Sequence, residues 1–224
     1  MNTLFYTLEM KWSLSFALPF LLPIQILFGL DLSTVAENDP EALRVALEAE
    51  GGSVAGEPVL ARESGPDGTE TKLIVFPDPV SSVAVPVTPA ASFWMLKVAI
   101  RIDEAPYGKS GGPMVGLLFG PNDSILSISA DKWSKLGAPV LISGMTPLLS
   151  EEQFLSAAAM EPGEWRAISM GIDGNEWQLK IGDRMDEKGS VENDSRGALS
   201  RKGTFFIKLG NFSGAATIPA LSEP

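Results

Sequence analysis

The stretch that most constrains the fold runs from Glu164 to Arg184. Ile168, Met170 and Ile172 alternate with Ala167, Ser169 and Gly171, the period of a strand buried on one face. Asp173-Gly174-Asn175 follows, three residues that favour a tight turn because Gly and Asn take positive φ cheaply. Trp177, Leu179 and Ile181 then alternate with Gln178, Lys180 and Gly182. Apolar alternation on either side of a short turn predicts an antiparallel hairpin.

Most of the remaining chain reads the same way. Lys72–Phe76 is short, apolar and bounded by Pro77 and Pro79, and Ser82–Val87 alternates on Val83, Val85 and Val87. In Phe93–Asp103, Trp94, Leu96, Val98, Ile100 and Ile102 share one face while Lys97 and Arg101 share the other, as in a sheet with one wet side. Pro113–Phe119 and Ser124–Ala130 predict a second hairpin, and Ala138–Ser143, Thr204–Leu209 and an edge segment at Pro58–Arg62 predict further strands. Glu41–Glu50 reads either as a short helix, with Asp39 as cap, Pro40 at its first position and Gly51-Gly52 behind it, or as a disordered connector. Ser150 and Gln153 suggest a second short helix, or an insertion draped over the sandwich, across Ser150–Met160. Met185–Lys202 reads as a polar loop. Asn211–Pro224 has little pattern, which suggests a last strand supplied by a partner.

Gly163-Glu164-Trp165, Asp173-Gly174, and Trp177, Leu179, Gly182 and Asp183 together resemble the central hairpin of laminin-G-like, concanavalin-A-like jelly-roll domains, with the final Gly-Asp inverted. The resemblance is specific over about twenty residues and architectural over 60–220. It implies an all-β, two-sheet antiparallel jelly-roll β-sandwich with one or two short helices. It does not imply an activity, since one fold hosts many functions.

Composition removes several classes of chemistry. The 224 residues contain no cysteine and no histidine, which excludes disulfides, thiolate metal sites, a cysteine nucleophile and any Ser-His-Asp machinery. With 28 acidic against 17 basic residues the net charge is −11, and Arg201-Lys202 is the one basic pair, so a nucleic-acid partner is not expected. Lys11, the apolar run Trp12–Leu30 and the small-residue pattern Thr34-Val35-Ala36 resemble an export signal, giving a leader over 1–36, a linker over 37–57 and the sandwich over 58–224. The run is also long enough to cross a bilayer, so an uncleaved anchor stays open, as does a buried core helix. Membrane contact is expected only through that segment. The expected location is outside the cytoplasm: periplasm, cell surface or medium, in a bacterial source.

Candidate functional residues are few. Jelly-roll glycanases of the laminarinase type would place alternating carboxylates on one strand. Glu37-x-Asp39-x-Glu41 matches by letter, but Pro40 interrupts it and no apolar alternation surrounds it. Glu192-Asn193-Asp194 lacks a closing glutamate. Alginate-lyase-like jelly rolls would need a histidine, and the only tyrosines are Tyr6 and Tyr107. Asp183 with Asp186, Asn122 with Asp123, and Asn193 with Asp194 are loop oxygen pairs of the kind that hold calcium, the one cofactor considered; each pair also serves simply as turn chemistry. Trp94, Trp165 and Trp177 fall on strands and read as core, whereas Trp133 and Tyr107 are candidate stacking platforms for a sugar. Asn122, Asn193 and Asn211 begin Asn-x-Ser sequons. The expected function is non-catalytic binding of a glycan or a cell-surface protein. A carboxylate-only hydrolase or lyase is the alternative, and a structural or assembly module a third.

Overall fold

The computed structural model describes residues 31–87, 93–104, 113–119, 123–129, 140–142, 146–147, 162–173, 176–183, 185–190 and 205–222. These residues form a two-sheet antiparallel β-sandwich with one short α-helix. A 3-10 turn at Leu32–Thr34 and α1 (Pro40–Ala49) precede β1 (Ser53–Ala55), β2 (Val59–Ser64), β3 (Glu70–Phe76), β4 (Ser82–Val87) and β5 (Phe93–Glu104). Next come β6 (Pro113–Phe119), β7 (Asp123–Ser129), β8 (Val140–Ile142), β9 (Thr146–Pro147) and β10 (Trp165–Asp173). The chain ends through β11 (Glu176–Ile181), β12 (Met185–Ser190), β13 (Phe205–Gly210), β14 (Ser213–Thr217) and β15 (Ala220–Ser222).

Among the described residues one sheet has seven strands in the order β1-β4-β13-β6-β7-β8-β9. The other has eight, ordered β12-β11-β10-β5-β14-β3-β2, with β15 beside the start of β5. The hairpin at 164–184 forms as its alternation predicts, with Ile168 opposite Ile181 and Ile172 opposite Trp177. Its inward residues Ile168, Met170, Leu179 and Ile181 are almost fully buried, and they join Leu96, Val98, Ile100 and Ile102 of β5 in one core. Val83, Val85 and Val87 of β4 and Ile207 and Leu209 of β13 complete that core from the seven-stranded sheet.

α1 forms because its start and stop are both built in. The Asp39 carboxylate accepts the Ala42 N–H at 3.0 Å, Pro40 occupies the first turn, and Gly51 takes φ +85 beyond the end. Leu43 and Leu47, one turn apart, are both fully buried in the sandwich core, and β1 then pairs with the edge of β4. Residues 37–57 are thereby packed on the sandwich.

Two sequence expectations are corrected. Residues 185–190, read as part of a polar loop, form the edge strand β12, with Asp186 and Lys188 exposed. Charged side chains are how edge strands discourage further pairing, so such a strand carries little apolar alternation. The tail, read as patternless, supplies β14, which lies between β5 and β3 near the middle of the larger sheet. Gly214, Ala215 and Ala216 are all buried there, so alternation is lost because both faces are covered by small residues in contact with neighbours. Phe212 anchors this segment, its ring 5.0 Å from that of Phe76 in the core. The strand between β5 and β3 therefore comes from the chain itself. The helix expected over 150–160 lies outside the described residues.

Candidate functional site

A sandwich offers two outer faces, and here they differ in chemistry. On the eight-stranded sheet, Arg101 reaches Glu63 at 3.1 Å and Asp103 at 3.2 Å, and its guanidinium lies 5.5 Å from the centre of the Trp165 ring. Burial lowers the Arg101 pKa, but hydrogen bonds and charge from Asp103 and Glu63 outweigh it and raise it overall. Trp165 is thus half-buried beneath a cation on the outer face, correcting its assignment to the core; Trp177, 5% exposed, is a core residue as expected. This face is occupied by its own ion pairs.

On the outer side of the seven-stranded sheet, Ser53, Ala84, Pro86, Phe206 and Lys208 of β1, β4 and β13 are partly exposed, while Gly116 and Leu118 of β6 are buried. Register places Pro86, Phe206 and Leu118 side by side across β4, β13 and β6, and the adjoining row is Ser53, Ala84, Lys208 and Gly116. Ala84, opposite Lys208, is too small to fill the space between Lys208 and Ser53. The result is a depression of about 390 Å³, with Ser82 and Ala84 in its lining and β1 residues along one side. Phe206 and Lys208, both half-buried, and Leu118 also line it. Alternate residues of a strand are about 7 Å apart, so Phe206 and Lys208 can engage one ligand together. The volume falls in the range of small-ligand sites. An aromatic ring, an ammonium and two serine hydroxyls suit a ligand with an apolar face and polar rim.

Catalysis of glycoside cleavage would need a carboxylic acid at this surface. Among the described residues lining the depression none is Asp or Glu. The Glu37, Asp39 and Glu41 series is committed elsewhere: Glu37 accepts from Arg62 at 3.1 Å, Asp39 caps α1, and Glu41 lies 3.5 Å from Arg44.

The calcium candidates are dispersed. Asp183 is exposed in the turn between β11 and β12, and Asp186 on β12 accepts from Gln178 at 3.1 Å. Asp123 begins β7, in the other sheet, opposite Phe119. Among the described residues no three acidic side chains gather as a metal site would require. Asn122, Asn193 and Asp194 lie outside the described residues, as do Trp133 and Tyr107. Phe206 and Lys208 were not singled out from sequence, because within Phe205–Gly210 they read simply as the outward half of a strand.

No family model matches the sequence, and comparison with curated proteins finds no match either. Solved structures do share the fold. Domain 4 of AbnA, an extracellular arabinanase from Geobacillus stearothermophilus solved with arabinotriose, has a TM-score of 0.51 at 14% identity, covering 77% of this chain and 82% of that one. A Trypanosoma rangeli sialidase solved with the inhibitor DANA has a TM-score of 0.50 at 16% identity, covering 76% of this chain. This chain spans only 26% of the sialidase. At such identities the likeness is one of fold alone, a two-sheet antiparallel β-sandwich.

Proposed function

We propose that this chain is a non-catalytic carbohydrate-binding module that seats a saccharide in the depression on its seven-stranded sheet. The observation that carries the reading is Phe206 and Lys208 side by side over a small-residue floor, with no carboxylate among the described lining. A sugar ring would lay its C–H face on Phe206, while Lys208 and the serine hydroxyls take its oxygen atoms. The arabinotriose bound by the AbnA domain of shared fold is in keeping with this. We read the sandwich as laminin-G-like on its central hairpin, and the protein as exported to meet its glycan outside the cytoplasm.

A glycan array probed with the full-length protein, with calcium and with chelator, tests the reading. Saturable binding is expected, and Phe206→Ala should weaken it about tenfold, the equivalent of roughly 1.4 kcal/mol. Trp133→Ala and Tyr107→Ala on the same array test those two aromatics, and the chelator arm tests calcium at Asp183 and Asp186. A blank array in both conditions, or binding indifferent to Phe206 and Lys208, would overturn the assignment of this face.

A further inference from the structure

The first described residues are bound tightly to the sandwich. Asp31 caps the 3-10 turn, its carboxylate accepting the Ser33 N–H at 2.9 Å. Leu32 is 3% exposed and belongs to the same core as Leu60, Ile74 and Leu96. The Lys72 ammonium, on β3, donates to three carbonyls of this segment: Leu32 at 3.1 Å, Ser33 at 2.9 Å and Val35 at 2.8 Å. An ammonium has three N–H bonds, so these acceptors satisfy it completely. Val35 packs against the core, the Asn38 N–H donates to the Leu60 carbonyl at 2.8 Å, and Glu37 pairs with Arg62.

The Thr34-Val35-Ala36 pattern, read from sequence as a leader cleavage site, falls inside this bound segment. A cut after Ala36 would take Leu32 and Val35 out of the core and leave Lys72 without all three acceptors. Signal cleavage precedes folding, so burial would not prevent such a cut; the product would simply lack part of its own core. We propose that the mature chain begins at or before Asp31, and that residues 31–36 are an integral part of the folded domain, held by Lys72. Any removal of the apolar run Trp12–Leu30 then takes place upstream of Asp31. From this element the chain continues through α1 into β1, beside the proposed saccharide site, but the inference stands independently of any ligand.

The test is to express the full-length chain in a secreting bacterial host and read the mature N-terminus by intact mass. The expected mass corresponds to a start at Asp31 or earlier, an unprocessed chain included. Leu32→Ala and Lys72→Met, made in the same full-length chain, provide a second reading. Leu32→Ala should lower the melting temperature of the purified protein by roughly 5 to 15 °C, and Lys72→Met by a few degrees. A folded mature protein that begins after Asp31, at Glu37 for example, would overturn the proposal, as would a Leu32→Ala protein that retains residue 32 and melts at the parent's temperature.

Discussion

Gly214→Ala probes the part of the fold least visible in the sequence. Gly214 opens the paired run of β14 with φ +146, a conformation that side-chain-bearing residues rarely adopt. The ladder also slips here: Ser213 faces Glu104 while Gly214 faces Ile102, so Asp103 is left without a partner residue. A Cβ added at Gly214 would be driven into the Arg101 carbonyl oxygen, 3.0 Å from the Arg101 carbonyl carbon and 3.1 Å from the Ile102 Cα. All three are backbone atoms of β5, paired on its other side with β10, so none can move alone. Backbone strain contributes about 1–3 kcal/mol and overpacking about the same, for a loss of roughly 2–6 kcal/mol. That is a large share of a domain's usual net stability of about 5–15 kcal/mol. Urea unfolding followed by tryptophan fluorescence should show the midpoint falling by about 1–3 M, given a slope near 2 kcal/mol/M. Ser213→Ala, one residue earlier, should change stability by about 0.5 kcal/mol or less. If Gly214→Ala unfolds within about 0.5 kcal/mol of the parent, β14 does not lie between β5 and β3 as described.

Three further outcomes follow from local geometry. A Cβ at Gly189 would lie 2.6 Å from the Trp177 indole nitrogen, so Gly189→Ala should cost about 1–3 kcal/mol and change the near-ultraviolet circular dichroism; no effect would place β12 away from β11. A double-mutant cycle between Arg101 and Trp165 should give a coupling of about 0.5–1 kcal/mol, and zero coupling would mean the cation does not sit on the ring. The Asp67 carboxyl is held below its usual pKa by hydrogen bonds from Thr69, first its hydroxyl and then its backbone N–H. A depressed pKa stabilises the fold above the unfolded value of about 3.9 and ceases to do so as pH falls through the folded value. Asp67→Asn should therefore lower the melting temperature at neutral pH, with the difference closing below about pH 4; a difference independent of pH would contradict the assignment.

The sandwich was legible because burial on one face leaves a period of two in the sequence. β4, β6, β10 and β11 carry that period and were placed to within a few residues. β12 was missed because an edge strand can be charged on its outer face and still pair through its backbone. β14 was missed because a strand of Ser, Gly and Ala is held by close backbone approach, which leaves no apolar rhythm. The face proposed to seat a saccharide was not legible at all. It depends on which small residues, Ala84 and Ser53, stand beside Lys208 across strands distant in sequence, and cross-strand register is not written in any one segment. A small-residue pattern at 34–36 reads the same in the sequence whether it is discarded or bound by Lys72.

The most direct test of the central claim is amide chemical-shift mapping of the labelled protein during titration with arabino-oligosaccharides and other glycans that score on the array. The account predicts that perturbed amides cluster on β1, β4 and β13 around Ser53, Ala84, Phe206 and Lys208, and that Phe206→Ala moves the titration to about tenfold higher ligand concentration while leaving the fold intact. Shifts confined to the eight-stranded sheet around Arg101 and Trp165, or no shifts with any glycan that binds, would contradict it.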